Sequence, residues 1–232
     1  ATAGMERQRM KQNATPPAHP SVLRVQAVLV SIALVAGLAI ATVYEWTRPM
    51  VQAQRGGLLG GAALEVLPAA VTYRIYARDG DGGIAPHPGG EGAELFLGLD
   101  DAGRPAGAAI VASGMGYQDV IQLVYGLDPG SARLLGMRVV GSRETPGLGS
   151  RIVDDPGFVD GFTQVKLQFA AGGELQSLQL SDAPEYEHGE IDTLTGATVS
   201  AQAVAGIIDR SLAEWLPLLR ARYDELTRKD DG

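Results

Sequence analysis

Residues 192–200 read DTLTGATVS: four hydroxyls around one glycine, with a single acid and no His, Cys or Lys. A hydroxyl in such a run can accept an ester bond, but nothing beside it activates it as a nucleophile. The run stands just before a helical pattern. From Ser200 onward, Val204, Ile207, Ile208, Leu212, Trp215 and Leu219 recur at spacings of three and four. A helix N-terminus offers free N–H groups and the positive end of the helix dipole, which together favour a phosphate. Thr198 therefore has two readings. It is a plain N-cap, or it is a hydroxyl esterified by a phosphate on a loop kept small by Gly196 and Ala197. Only one cap is needed, and four hydroxyls are present.

A second stretch, ETPGLG at Glu144–Gly149, sets a proline between Thr145 and two glycines, directly after a strand-like run. It predicts a tight turn whose backbone can approach a planar ligand, or else an ordinary loop. The acidic stretch SDAPEYEHGEID (181–192) holds Asp182, Glu185, Glu187, His188 and Glu190 at spacings that match no strong metal motif. It is read as a solvated loop, with no metal ligand assigned. His19 and His87 fall in apparent loops, and Trp215 falls on the apolar helix face, so none of the three is assigned to a site. No residue is assigned a catalytic role.

D-T-L-T-G-A-T (192–198) resembles the flavinylation motif Asp-x-x-(Ser/Thr)-Gly-Ala-Thr. In proteins carrying that motif, the last Thr bears FMN through a phosphoester bond, made by a separate flavin transferase that uses FAD. The resemblance makes Thr198 the attachment point and Asp192, Thr195, Gly196 and Ala197 the recognition residues. ETPGLG followed about fifty residues later by TGAT is similar to the FMN-binding domain shared by two related proteins. These are the G subunit of the Rnf electron-transport complex and the C subunit of the sodium-pumping NADH:quinone reductase. ALEVLP (63–68) and GMGYQDVIQLVYGLD (114–128) also resemble Rnf G segments, and the modest length favours Rnf G. Ser142 departs from the His or Gly often found two residues before the ETPGLG glutamate. The resemblance implies that Glu144, Thr145, Pro146, Gly147, Leu148 and Gly149 border the flavin. It also implies the membrane, iron–sulfur and flavin subunits of an Rnf complex as partners, in electron transfer between ferredoxin and NAD coupled to ion movement. A signal-anchored binding protein without flavin is the reading from another class.

The elements that must position these residues follow from the rest of the chain. Val25–Trp46 is nearly all apolar and long enough to span a bilayer. Arg24 marks one end, and Tyr44 and Trp46 the other, where amphipathic rings favour the interface. It is read as a retained signal anchor rather than a cleaved signal peptide. Arg7, Arg9, Lys11 and Arg24 precede it with Glu6 as the only acid, which puts the N-terminus in the cytoplasm and the remainder outside a bacterial inner membrane. Residues 56–232 carry 13 basic against 25 acidic residues, a formal −12, which argues against nucleic acid as a partner. The chain has no Cys, so it holds no disulfide and no thiolate-ligated metal.

The boundaries expected are a cytoplasmic tail (1–22), a transmembrane helix (23–47), a juxtamembrane helix and loop (48–92) and an FMN-binding domain (93–232). Residues 56–70 suggest a short helix at the membrane surface that stops at Pro68. Residues 78–92 suggest a glycine-rich loop. Strands are expected at 94–99, 106–113, 119–127 and 133–142, joined as a meander. A short helix is expected at 154–162, a strand at 174–180, and a final helix from Ser200 that Pro217 kinks or interrupts. Sheet followed by helix makes the soluble part α+β.

Overall fold

The structure is a computed structural model. It describes residues 22–80, 82–90, 92–163 and 165–227, and side chains among these apart from 48–55 and 224–227. All of the expected cytoplasmic tail except Val22 lies outside the described residues. The chain divides into two compact units, residues 1–49 and 50–232.

In the first unit the described chain is the start of helix α1 (Val22–Glu65). Val22–Thr47 has a mean hydropathy of 2.4, and none of it is buried against the protein. Its 26 residues rise about 39 Å at 1.5 Å each, more than the ~30 Å of a hydrocarbon core. Its few hydroxyls turn back onto their own helix. Ser31 donates to the Ala27 carbonyl, Thr42 to Leu38 and Thr47 to Val43, each at 2.8 Å. These three hydroxyls are thus satisfied within their own helix.

The second unit is built on six antiparallel strands in the order β2-β1-β3-β4-β5-β6. They are β1 (Thr72–Arg78), β2 (Ile84–Pro86), β3 (Leu95–Leu99), β4 (Pro105–Met115), β5 (Val120–Asp128) and β6 (Arg133–Gly141). Alternate residues point to opposite faces. Leu95, Leu97, Ile110, Leu123 and Tyr125 enter the larger core, under the last helix α4 (Thr198–Thr227). Phe96, Ala109 and Val124 enter a smaller core with Ala62, Ala63, Val66 and Leu67. Both faces are covered, so β3 is buried at every residue. The α+β class and the antiparallel sheet with flanking helices are as expected.

Several expectations change. The 56–70 segment is not a helix of its own. It is the end of α1, which stops at Glu65, and its last turn is buried on the sheet. Small side chains allow this approach. A Cβ placed on Gly126 in β5 would run into the Val66 carbonyl oxygen, far inside van der Waals contact. Such glycines sit inside strands, not only in turns. The sheet also begins at Thr72, within the segment expected to hold only helix and loop. β1 and β2 were missed because they bury only Tyr76 and Ile84.

The helix expected at 154–162 is two short ones, α2 (Arg151–Asp154) and α3 (Pro156–Gly161). Asp155 separates them in an extended conformation and caps α3, its carboxylate accepting the Phe158 N–H at 3.3 Å, with Pro156 at the first helical position. Arg151 bonds the same carboxylate at 2.8 Å. That bond, more than the cap, holds the Asp155 carboxyl below the usual carboxylate range. Asp155→Ala is expected to cost about 1 kcal/mol in urea unfolding, the usual loss for a cap. A depressed folded pKa gives stability that is complete above the unfolded value and lost as pH falls through the folded one. The cost of the substitution should therefore shrink on acidification below about pH 4. An equal cost at pH 7 and pH 2 would contradict this account.

The strand expected at 174–180 is reduced to β7 (Gln179–Ser181), which pairs in parallel with β8 (Glu190–Asp192). α4 starts at Thr198, two residues before the expected Ser200, and runs through Pro217 without interruption. Proline removes one helical hydrogen bond. Trp215, Leu216 and Leu219, at most 3 % exposed, hold the two sides of it in the core.

Candidate functional site

Three loops meet at the start of α4. ETPGLG follows β6, the hairpin end Gly116–Asp119 joins β4 to β5, and DTLTGATVS leads from β8 into the helix. Between them lies a cleft of ≈ 390 Å³. ETPGLG contributes Thr145, Leu148 and Gly149; the second motif contributes Gly196 through Ser200; the hairpin contributes Tyr117. The two motifs thus share one cavity although about fifty residues separate them. Gly196 has φ +81°, the left-handed conformation in which L side chains are strained.

Each hydroxyl of DTLTGATVS is in a different situation. Thr193 donates to the Asp182 carboxylate. Ser200 is 2 % exposed and donates to Glu144 Oε2 at 2.6 Å. Thr195 is exposed but does not line the cleft, and its carbonyl accepts from Arg151. Thr198 is exposed, lines the cleft, and has only a 3.5 Å contact to the Leu194 carbonyl. It is the first helical residue rather than the cap, so the N-cap reading does not describe it. The N–H groups of a first turn have no partner within the helix.

Glu144 is not a cleft wall. It is buried beneath, and it ties the three loops together. Oε1 accepts the N–H of Gln118 at 2.9 Å and of Asp119 at 3.4 Å, while Oε2 accepts Ser200. Burial by itself raises this carboxyl. The Ser200 hydroxyl and the N–H groups of Gln118, Asp119 and Tyr117 outweigh it and hold the carboxyl below its ordinary value. Thr145 adds a second link, donating to Gln118 Oε1 at 2.7 Å. Pro146 and Gly147 are exposed at the outer side of the turn and do not line the cleft. Asp192 also lies off the cleft, in β8, where it accepts the Tyr186 hydroxyl at 2.7 Å.

Tyr117, Gln118 and Arg151 were not picked out from the sequence. Tyr117 and Gln118 lie inside the GMGYQDVIQLVYGLD segment, and Arg151 directly follows GLGS. The acidic stretch has exposed side chains as expected, but it is structured rather than a plain loop. It contains a 3-10 turn (Tyr186–His188) and β8. Glu187 pairs with Arg133 and, at 3.9 Å, with Lys166; Glu185 contacts His188 at 2.6 Å.

The cleft suits a ligand with an apolar body and an anionic end. Tyr117, Leu148 and Val199 are 68, 55 and 53 % exposed. Met115 and Val120 flank Tyr117 at the hairpin end and are exposed too. Among the described residues after α1, every exposed large apolar side chain but Val71 belongs to this cleft or this hairpin end. Apolar surface concentrated in this way marks a binding site. The isoalloxazine ring of FMN matches the apolar walls, and its phosphate matches the helix start.

The FMN-binding domain family matches residues 116–213, which hold both motifs. The G subunit of the ion-translocating oxidoreductase complex of Pseudomonas aeruginosa is 31 % identical over 204 residues, covering 83 % of this chain and 87 % of that protein. The chain belongs to the G-subunit family of these complexes. The G subunit from Methanosarcina acetivorans is 26 % identical over 79 % of this chain and 88 % of its own length. The match to that of Buchnera aphidicola, 35 % identical, spans 51 % of that protein and 50 % of this chain. Among solved structures, NqrC of Shewanella oneidensis is similar with a TM-score of 0.48 and 20 % identity, over 69 % of this chain and 73 % of that one. The FMN-binding domain expected from ETPGLG and TGAT, and the G-subunit membership expected from ALEVLP, GMGYQDVIQLVYGLD and the chain length, are borne out.

Proposed function

We propose that the chain is a membrane-anchored carrier of FMN, esterified through its phosphate to Thr198, in an Rnf-type ion-translocating oxidoreductase complex. The observation that carries this reading is the state of the hydroxyls. Thr198 alone in its motif is exposed on the cleft with no firm bond of its own. Once bound, the flavin would supply the redox chemistry of electron transfer between redox subunits. The chain's own residues hold and orient it. Tyr117, Leu148 and Val199 would shelter the ring system, Thr145 and Gly149 would bring backbone close to it, and the first N–H groups of α4 would be available to the phosphate. Glu144 keeps the three loops in register.

The absence of a catalyst in DTLTGATVS agrees with attachment by a separate flavin transferase. In that step the Thr198 oxygen bonds to the FMN phosphorus of FAD, the pyrophosphate bond breaks and AMP leaves. Asp192 and Thr195, which lie off the cleft, are assigned to recognition by that enzyme. Val22–Thr47 anchors the chain in a bacterial inner membrane, and the basic residues before it place the N-terminus in the cytoplasm and the flavin domain outside. The partners are the membrane, iron–sulfur and flavin subunits of the complex, which link ferredoxin and NAD to ion movement.

Intact mass is the direct test. Chain produced with a flavin transferase is expected to be heavier by one esterified FMN and to fluoresce in a denaturing gel. A chain of unmodified mass and no fluorescence sinks the covalent reading.

A further inference from the structure

Glu144 is a buried charge that the attachment chemistry does not use. It is 5 % exposed, and its side-chain contacts, with the N–H groups of Gln118 and Asp119 and the Ser200 hydroxyl, are all with donors. That is how an ionised carboxylate is held. Among the described residues no Lys or Arg forms an ion pair with it; the nearby Arg143 pairs instead with Asp119 at 3.7 Å. The carboxylate lies against the back of the cleft wall. A Cβ built on Gly149 would stand 2.5 Å from Glu144 Oε2 and 2.8 Å from Ser200 Oγ, and both Gly149 and Ser200 line the cleft.

We propose that Glu144 is a fixed negative charge that lowers the reduction potential of the flavin held in this cleft. The proposal rests on the flavin reading above. Uptake of two electrons and one proton by the oxidised ring leaves one net negative charge on it. A buried carboxylate with no paired cation, just behind the wall of that cleft, opposes that charge. Its hydrogen bonds keep it ionised without cancelling its field. Glu144 is thus a positioning residue for the loops and an electrostatic one for the ring.

The test is a spectroelectrochemical titration of the full chain in detergent. In Glu144→Gln the amide oxygen can keep the two backbone N–H bonds, and the amide NH2 can donate to Ser200. Its potential is expected to rise by at least a tenfold change in the equilibrium constant for reduction, about 30 mV for a two-electron couple. Glu144→Asp keeps the charge and should stay closer to wild type. Ser200→Ala strips a donor from the charge and should move the potential down. A Glu144→Gln potential equal to wild type overturns the proposal, as does a Glu144→Asp shift as large as that of the glutamine variant. A Glu144→Gln chain that folds but takes no flavin also overturns it and assigns Glu144 to loading. Should Glu144→Gln not fold, an upward or absent shift in Ser200→Ala decides against the charge. Wild-type chain without bound flavin sinks the flavin reading itself, an outcome distinct from flavin present with an unmoved potential.

Discussion

Thr198→Val is expected to abolish covalent flavin completely, while Thr195→Val keeps it. Valine matches threonine in shape and lacks only the hydroxyl that would carry the ester. The side chain is exposed and its one contact is a 3.5 Å approach to the Leu194 carbonyl, so the fold has little to lose. Stability should change by less than about 0.5 kcal/mol, as for an ordinary surface substitution. The measurement is in-gel flavin fluorescence with intact mass, alongside a thermal melt. Thr195 differs because its side chain is off the cleft. Ser200 differs because it is buried and committed to Glu144. Covalent fluorescence that persists in Thr198→Val would falsify the choice of residue, whatever Thr195→Val shows.

Gly126→Val should be strongly destabilising. Gly126 pairs with Ala109 on β4 and Gly136 on β6, so it has a strand on either side. The obstacle to a side chain there is the Val66 carbonyl, whose oxygen overlaps the Cβ position and whose carbon lies 3.1 Å from it. Backbone cannot swing aside as a side-chain tip can. The chain leaving α1 would have to lift off the sheet and expose Ala63, Val66 and Leu67, which are all but fully buried. Overpacking of this kind costs roughly 1–3 kcal/mol, and obstruction by backbone belongs at the upper end. Gly172→Val is the control, because nothing lies within 4 Å of its Cβ position. Equal melting temperatures for the two variants, measured on the full chain in detergent, would show that α1 does not rest on the sheet through Gly126.

The helix from the 200s was legible because one apolar face at spacings of three and four is a strong local signal, and Trp215 on that face is buried as its position implied. The strands β3 to β6 were legible because turn residues punctuate them. β1 and β2 were not, since TYRIYAR and IAP bury one residue each. The end of α1 was misplaced because Pro68 looked like the stop. In fact the helix ends at Glu65, and Val66 and Leu67 cross the sheet through gaps left by glycines on strands far away in sequence. Pro217 does not break the helix; a local breaker does not tell whether a core on both sides will hold the helix through it.

The candidate site divides in the same way. DTLTGATVS and ETPGLG are local chemistry: hydroxyls, glycines and a proline whose types and order are complete within a few residues. The sequence by itself therefore determined the family, the single apolar span, the α+β class and the short list of hydroxyls. Only the tertiary structure decided which hydroxyl faces the cleft, because exposure depends on what packs over each one. It alone showed that Glu144 lies beneath the cleft rather than in its wall, and that Asp192 stands apart from it. It alone brought Tyr117 to the rim and Arg151 to the Thr195 carbonyl. These are relations between loops joined by long stretches of chain, and no spacing along the sequence encodes them. They are settled by burial and by the few hydrogen bonds, most of them to one carboxylate, that hold three loops together.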